Sequence, residues 1–176
     1  MSTDPNRYLE SFEENVTLLG DIFGKEELAA EKIADIETSV AALQDKTAEN
    51  DVSGLIVLAN DGSLSAFGPE SRFGFLHEDF GVEPADENIE VSSHGQSISF
   101  EYIVETDPEY LFVVDRGAIV GGESSAQQTV ENEVTENTTA YQEGKIVYLD
   151  PVYWYITTGG ISATEEMIAE VEAAIE

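Results

Sequence analysis

Three apolar runs restrict this chain more than any other feature: "VSGLIVLAN" (52–60), "YLFVVD" (110–115) and "KIVYLD" (145–150). Each has the length of a strand, and the first two are apolar nearly throughout. Such a strand hides both of its faces, which is the condition of a parallel sheet covered by helices on either side.

The intervening segments supply those helices. In residues 8–20, Leu9, Phe12, Val16 and Leu19 fall near helical spacing, and Gly20 is expected to end the run. Residues 25–48 repeat the pattern with Leu28, Ile33, Ile36, Val40 and Leu43, a helix of roughly 35 Å at 1.5 Å per residue. "SRFGFLHEDFG" (71–81) reads as a short helix with a serine cap and a glycine stop. "SISFEYIVETDPEY" reads as a helix capped by Ser97 or Ser99 and stopped before Pro108. The polar stretch 124–144 predicts one or two helices, and "SATEEMIAEVEAAIE" a closing helix capped by Ser162 or Thr164. The expected fold class is therefore α/β, with a largely parallel sheet flanked by helices. The expected boundary lies near residue 50, between a helical lead-in (1–50) and an α/β lobe (51–176).

Charge removes whole classes of function. The chain carries 37 acidic and 7 basic residues, a net charge of −30. Nucleic acids and anionic membranes are repelled by such a surface, because phosphate binding needs Lys and Arg. Self-repulsion on this scale also predicts a fold that salt stabilises. There is no cysteine, so thiolate metal sites, disulfides and thiol nucleophiles are excluded. "MSTDPNRYLESF" has neither the apolar core nor the cleavage site of a signal peptide. No apolar run is long enough to span a bilayer.

In open α/β sheets, ligands bind beyond the carboxyl ends of the strands. The segments following the three apolar runs, together with the loop before the 97–110 helix, collect Arg72, His94, Arg116, Tyr153, Trp154 and Tyr155. Arginine offers a planar fork of donors to anionic oxygens. Its ordinary fate is an ion pair, for Arg116 with the adjacent Asp115. His94 sits in a Ser/Gly loop, "SSHGQS", whereas His77 lies inside the 71–81 helix, where packing is the default. A tyrosine and a histidine together suit Fe(III), for phenolate is a hard donor and iron accepts imidazole. Aromatic residues after a strand nonetheless usually pack. No phosphate loop, G-x-S-x-G, H-E-x-x-H or cysteine nucleophile is present, so no enzyme is expected.

"GSLSAFGPESRFGFLHEDFG", "SSHGQSISFEYI", "DPEYLFVVDRGAIVGG" and "KIVYLDPVYWYITTGG", taken in order, resemble the substrate-binding proteins of siderophore ABC importers. The subgroup indicated binds ferric catecholate siderophores of the petrobactin and enterobactin type. The resemblance implies a helix-linked (class III) periplasmic-binding-protein fold of two α/β lobes with ligand in the cleft between them. It implies that this chain corresponds to the second half: the end of the first lobe, the connecting helix (about 25–48) and the second lobe.

By the same resemblance, Arg72 and Arg116 face the anionic ferric siderophore and Trp154 adjoins it. His94 and Tyr155, with Tyr153 in reserve, can ligate iron that the siderophore leaves short of donors. Fe(III) is then part of the ligand, and no intrinsic cofactor is expected. The partners implied are a ferric siderophore and a membrane ABC permease, with no nucleic acid, in an extracytoplasmic setting. Thr157 and Thr158 stand where relatives tend towards Ser and Gly. The alternative is a lobe that serves as an interaction module, forming a homodimer through the surface the other lobe would cover and binding no siderophore.

Overall fold

The computed structural model describes residues 3–92 and 94–175. Two helices come first, α1 (Tyr8–Phe23) and α2 (Glu26–Glu49). A hairpin follows, β1 (Ser53–Asn60) and β2 (Ser63–Phe67), then a single turn of helix, α3 (Phe75–Glu78), and the short β3 (Glu83–Pro84). Next come β4 (Gln96–Ile98), α4 (Phe100–Thr106), β5 (Tyr110–Asp115), α5 (Arg116–Val120), α6 (Ala126–Val130) and α7 (Thr139–Gln142). The chain closes with β6 (Ile146–Leu149), a π-helical turn (Val152–Ile156) and α8 (Ile161–Ala174).

The sheet order is β4–β2–β1–β5–β6, with β3 paired to the start of β1. The three apolar runs form its parallel centre and one edge, β1–β5–β6. Side chains alternate across it as the pleat requires. Leu111 and Val113 of β5 join Leu55 and Val57 of β1 under Ile103, Val130 and Ala140. Phe112 and Val114 join Ile56 on the other face, under Phe12, Ile36, Leu43, Met167 and Val171 from α1, α2 and α8. Residues on both sides of position 50 thus share one apolar cluster. Gly54 makes room for this packing: a Cβ there would lie 2.7 Å from the Phe112 ring.

The sheet is mixed rather than parallel throughout, because β2 runs antiparallel to both of its neighbours, β1 and β4. The cause is the turn Asn60–Asp61–Gly62–Ser63. Asp61 (φ 47°) and Gly62 (φ 79°) are both left-handed, the backbone of a tight two-residue hairpin. Elements also differ at their ends. Helix α1 runs through Gly20 to a left-handed Gly24, since Gly20 is where α2 crosses closely: a Cβ there would lie 2.7 Å from that of Ala29. The 71–81 segment keeps only α3 as helix. Ser97 lies in β4, and Ser99 caps α4 through the Tyr102 N–H. Helix α8 starts after Gly160 without a side-chain cap. The Thr164 hydroxyl instead lies 2.7 Å from the Tyr8 hydroxyl.

Candidate functional site

The stretch after β6 continues as a π-turn instead of an open loop. Pro151 leads into it, and the Thr157 N–H reaches five residues back to the Val152 carbonyl at 2.9 Å. Single π-turns inside proteins are concentrated at functional sites. The carbonyls at the end of this one are taken by side chains. Thr157 Oγ1 also donates to Val152, and Thr158 Oγ1 donates to Trp154 at 2.7 Å and Tyr153 at 3.2 Å. The Tyr155 carbonyl accepts from Arg72 Nη2 at 2.9 Å, placing a cation at the negative end of the turn.

Tyr155 is bound at its side chain as well. Arg116 Nε donates to its hydroxyl at 2.9 Å. The Arg72 guanidinium lies 4.1 Å from the centre of its ring, a cation–π distance. Arg116 is brought there as the first residue after β5, and Arg72 by the tight bend "GPESRFG". Glu70 turns that bend with φ 60°. Gly74 closes it, since a Cβ would lie 2.9 Å from the Glu70 nitrogen.

The Asp115–Arg116 ion pair does not form. Asp115 instead accepts the N–H groups of Ala118 and Ala126. Among the described residues no carboxylate forms an ion pair with Arg72 or Arg116, while Arg7, Lys32 and Lys145 each hold at least one.

The two arginines and Tyr155 line a concavity of about 350 Å³ together with His94, Asn60, Ser63 and Ser65. Arg72 and Tyr155 also line a second one of about 560 Å³. Both volumes suit small-molecule sites. His94 is exposed at the mouth of the first, its own N–H donating to Ser92 Oγ; Ser93 of the same loop lies outside the described residues. The serines and Asn60 come from the β1–β2 hairpin, which the apolar pattern alone does not reveal. The signal for them is the Asp61–Gly62 pair between apolar flanks.

Among the described residues no group of three or more His, Cys, Asp or Glu side chains is placed to hold a metal ion. His94 and Tyr155 bring two donors to one concavity, so a metal held there would take its remaining donors from a ligand.

Trp154 lies elsewhere. It is fully buried, stacked on Phe75 at 5.3 Å, and its indole N–H donates to Glu170 at 2.7 Å. Burial pushes the Glu170 carboxyl up, against the lowering effect of that bond. Adjacent positions on the turn point in different directions, so Tyr155 lines the concavity while Trp154 anchors the turn from below. Tyr153 packs against the core cluster and lines neither concavity. His77 is buried with Nδ1 donating to the Val82 carbonyl, and burial lowers its pKa.

In open α/β sheets, a concavity at the carboxyl ends of the strands is where ligands bind. The chain belongs to the periplasmic binding protein family, whose pattern it matches over residues 1–153. It is 46% identical to the petrobactin-binding protein YclQ of Bacillus subtilis over the whole of this chain and 56% of that protein. Its identity with the ferric-anguibactin-binding protein FatB of Vibrio anguillarum is 36%, over 93% of this chain and 51% of that one. The crystal structure of YclQ superposes with a TM-score of 0.96 over 99% of this chain and 61% of that one, at 44% identity. The periplasmic catecholate-siderophore binding protein VctP of Vibrio cholerae superposes at 0.91, with 36% identity, over 98% and 62%. The chain spans about half the length of the curated relatives it matches.

Proposed function

We propose that this chain is the ligand-binding part of an iron–siderophore ABC importer's solute-binding protein. It takes a ferric catecholate siderophore into the concavity of Arg72, Arg116, His94 and Tyr155 and presents it to a membrane permease outside the cytoplasm. One observation carries this reading. In a chain with 37 carboxylates, two arginines remain without a carboxylate partner among the described residues and converge on one tyrosine. A free guanidinium pair at a strand-end concavity is a receptor for delocalised negative charge, such as a catecholate complex of Fe(III) carries. The relatives' names, petrobactin, anguibactin and catecholate siderophore, point to the same ligand class.

The chemistry asked of the protein is binding. Iron arrives as cargo within the siderophore. Arg72 retains donors beyond the one given to the Tyr155 carbonyl, and Arg116 retains those beyond Nε. His94 and the Tyr155 hydroxyl occupy sites that a four-donor siderophore leaves open, Tyr155 as phenolate. Titration with a ferric bis-catecholate tests the reading, following Trp154 fluorescence and the visible charge-transfer band. Arg116→Ala is expected to weaken binding at least tenfold. Tyr155→Phe and His94→Ala are expected to shift the band. A parent protein with no quenching and no spectral change would overturn the proposal.

A further inference from the structure

The glycine pair that ends "DRGAIVGG" has no role in the reading above, and the structure joins it to Asp61. The β1–β5 ladder ends at the pair Ala59–Asp115. Beyond that pair the two segments part. One enters the hairpin turn, which sets Asn60, Ser63 and Ser65 on the neutral wall of the concavity of about 350 Å³. The other enters α5, whose first residue, Arg116, belongs to the cationic wall. Asp61 rejoins them past the sheet: its Oδ1 accepts the Glu123 N–H at 2.7 Å, just beyond α5. The glycines shape the receptor for that carboxylate. Gly121 turns the chain after α5 with φ 81°. Gly122 leaves a notch, since a Cβ there would lie 2.7 Å from Asp61 Oδ1 and 2.9 Å from the Gly117 Cα. Asn60 does not anchor the wall itself, for its buried Oδ1 has no hydrogen-bond partner among the described residues.

We infer that Asp61 is a positioning residue: its bond to the Glu123 N–H sets the spacing between the neutral wall and Arg116. The inference rests on the proposed siderophore reading and adds to it a residue that does not line the concavity. A bond from a carboxylate to a backbone N–H is charge-assisted and directional, so it holds one spacing. A wall held in place before the ligand arrives loses less entropy on binding. Without the bond, the turn is held by its own pairing of Asn60 with Ser63, which does not fix its distance to α5.

The test titrates the full chain with a ferric bis-catecholate, followed by Trp154 fluorescence, in the parent and in variants of the two contacting residues. Asp61 stands at φ 47°. Asp61→Gly keeps that turn, because glycine adopts positive φ freely, and removes the acceptor. It is expected to bind roughly fivefold more weakly, the effect of one lost hydrogen bond. Asp61→Asn keeps both the turn and an acceptor oxygen, and is expected to bind within about twofold of the parent. Gly122→Ala fills the notch from the other side and is expected to weaken binding as Asp61→Gly does. The double variant should lose no more than either single one, since both changes break one contact. A cooperative urea transition in each variant separates lost binding from lost folding. Equal losses in Asp61→Gly and Asp61→Asn, or additive losses in the double variant, would overturn the inference. If the parent binds no ferric bis-catecholate, the siderophore reading fails and this inference falls with it. If the parent binds and Asp61→Gly binds equally well, only the role of Asp61 is lost.

Discussion

Tyr155 is restrained at three points: its hydroxyl by Arg116, its ring by Arg72 and its carbonyl by Arg72 again. Preorganisation of this kind lowers the entropy lost on ligand binding. Thr158 contributes from the backbone side, where one hydroxyl serves two carbonyls of the turn. Thr158→Val keeps the shape and removes the donor, so unfolding in urea should show a loss of about 1–2 kcal/mol, with Thr158→Ser restoring most of it. A second prediction concerns Asp79, half-buried beside the start of α1. Burial raises its pKa to about 6, the Glu78 charge adds to the effect, and the Leu9 N–H opposes it. The folded value lies above the unfolded one of 3.8, so protonation favours the fold. That stabilisation is full below the unfolded value and is lost as pH rises through about 6. Asp79→Asn should therefore be more stable than the parent at pH 7, by about 1 kcal/mol after allowance for solvent screening. The gain should shrink towards pH 4, as checked by urea titrations at both pH values.

The site depends on where elements end. Strand β5 ends at Asp115, which caps α5 and so turns Arg116 towards the concavity. The π-turn is anchored in the core by Trp154, whose indole is held by Phe75, Phe80 and Glu170. The Tyr8 hydroxyl accepts the Gly159 N–H and meets Thr164, tying α1 to the turn and to α8. Where α1 and α2 cross, Gly20 leaves no space for a side chain against Ala29. Gly20→Val should cost about 1–3 kcal/mol through overpacking, seen as a lowered urea midpoint with little change in slope. The helical period around Gly20 was readable from Val16 and Leu19, and so was a helix. That the glycine marks a crossing instead of an end was not, because a close approach is a property of two helices.

At the scale of the molecule, charge dominates. With a net charge of −30, few cations are available to offset the carboxylates. The ion pairs at Arg7 and Lys32 are largely exposed and contribute little, while the Lys145–Glu109 pair is partly buried. Raising NaCl from about 0.1 M to 1 M shortens the screening length from about 10 Å to 3 Å. The melting temperature is expected to rise by several degrees over that range, checked by differential scanning calorimetry; a flat or falling trend would contradict it. The anionic ligand proposed for the site would meet a concavity whose described lining carries Arg72 and Arg116 and no carboxylate, with the distant acids screened by salt.

The sequence by itself determined the α/β class, three parallel strands of which two are buried on both faces, both long helices, a charge unsuited to nucleic acid and the lack of thiol chemistry. These follow from local periodicity and total charge, which need no knowledge of distant contacts. It also put Arg72, Arg116 and Tyr155 in the segments that follow apolar runs, because such runs show where they stop, and His94 in a Ser/Gly loop. Only the tertiary structure decided that Tyr155 lines the concavity while Trp154 fills the core, since both belong to one aromatic run and the π-turn sets their directions. It alone decided that Arg116 bonds Tyr155 and leaves Asp115 to backbone N–H groups. It alone brought Asn60, Ser63 and Ser65 to the same wall, through a hairpin whose polar strand carries too weak an alternation to be read from one chain.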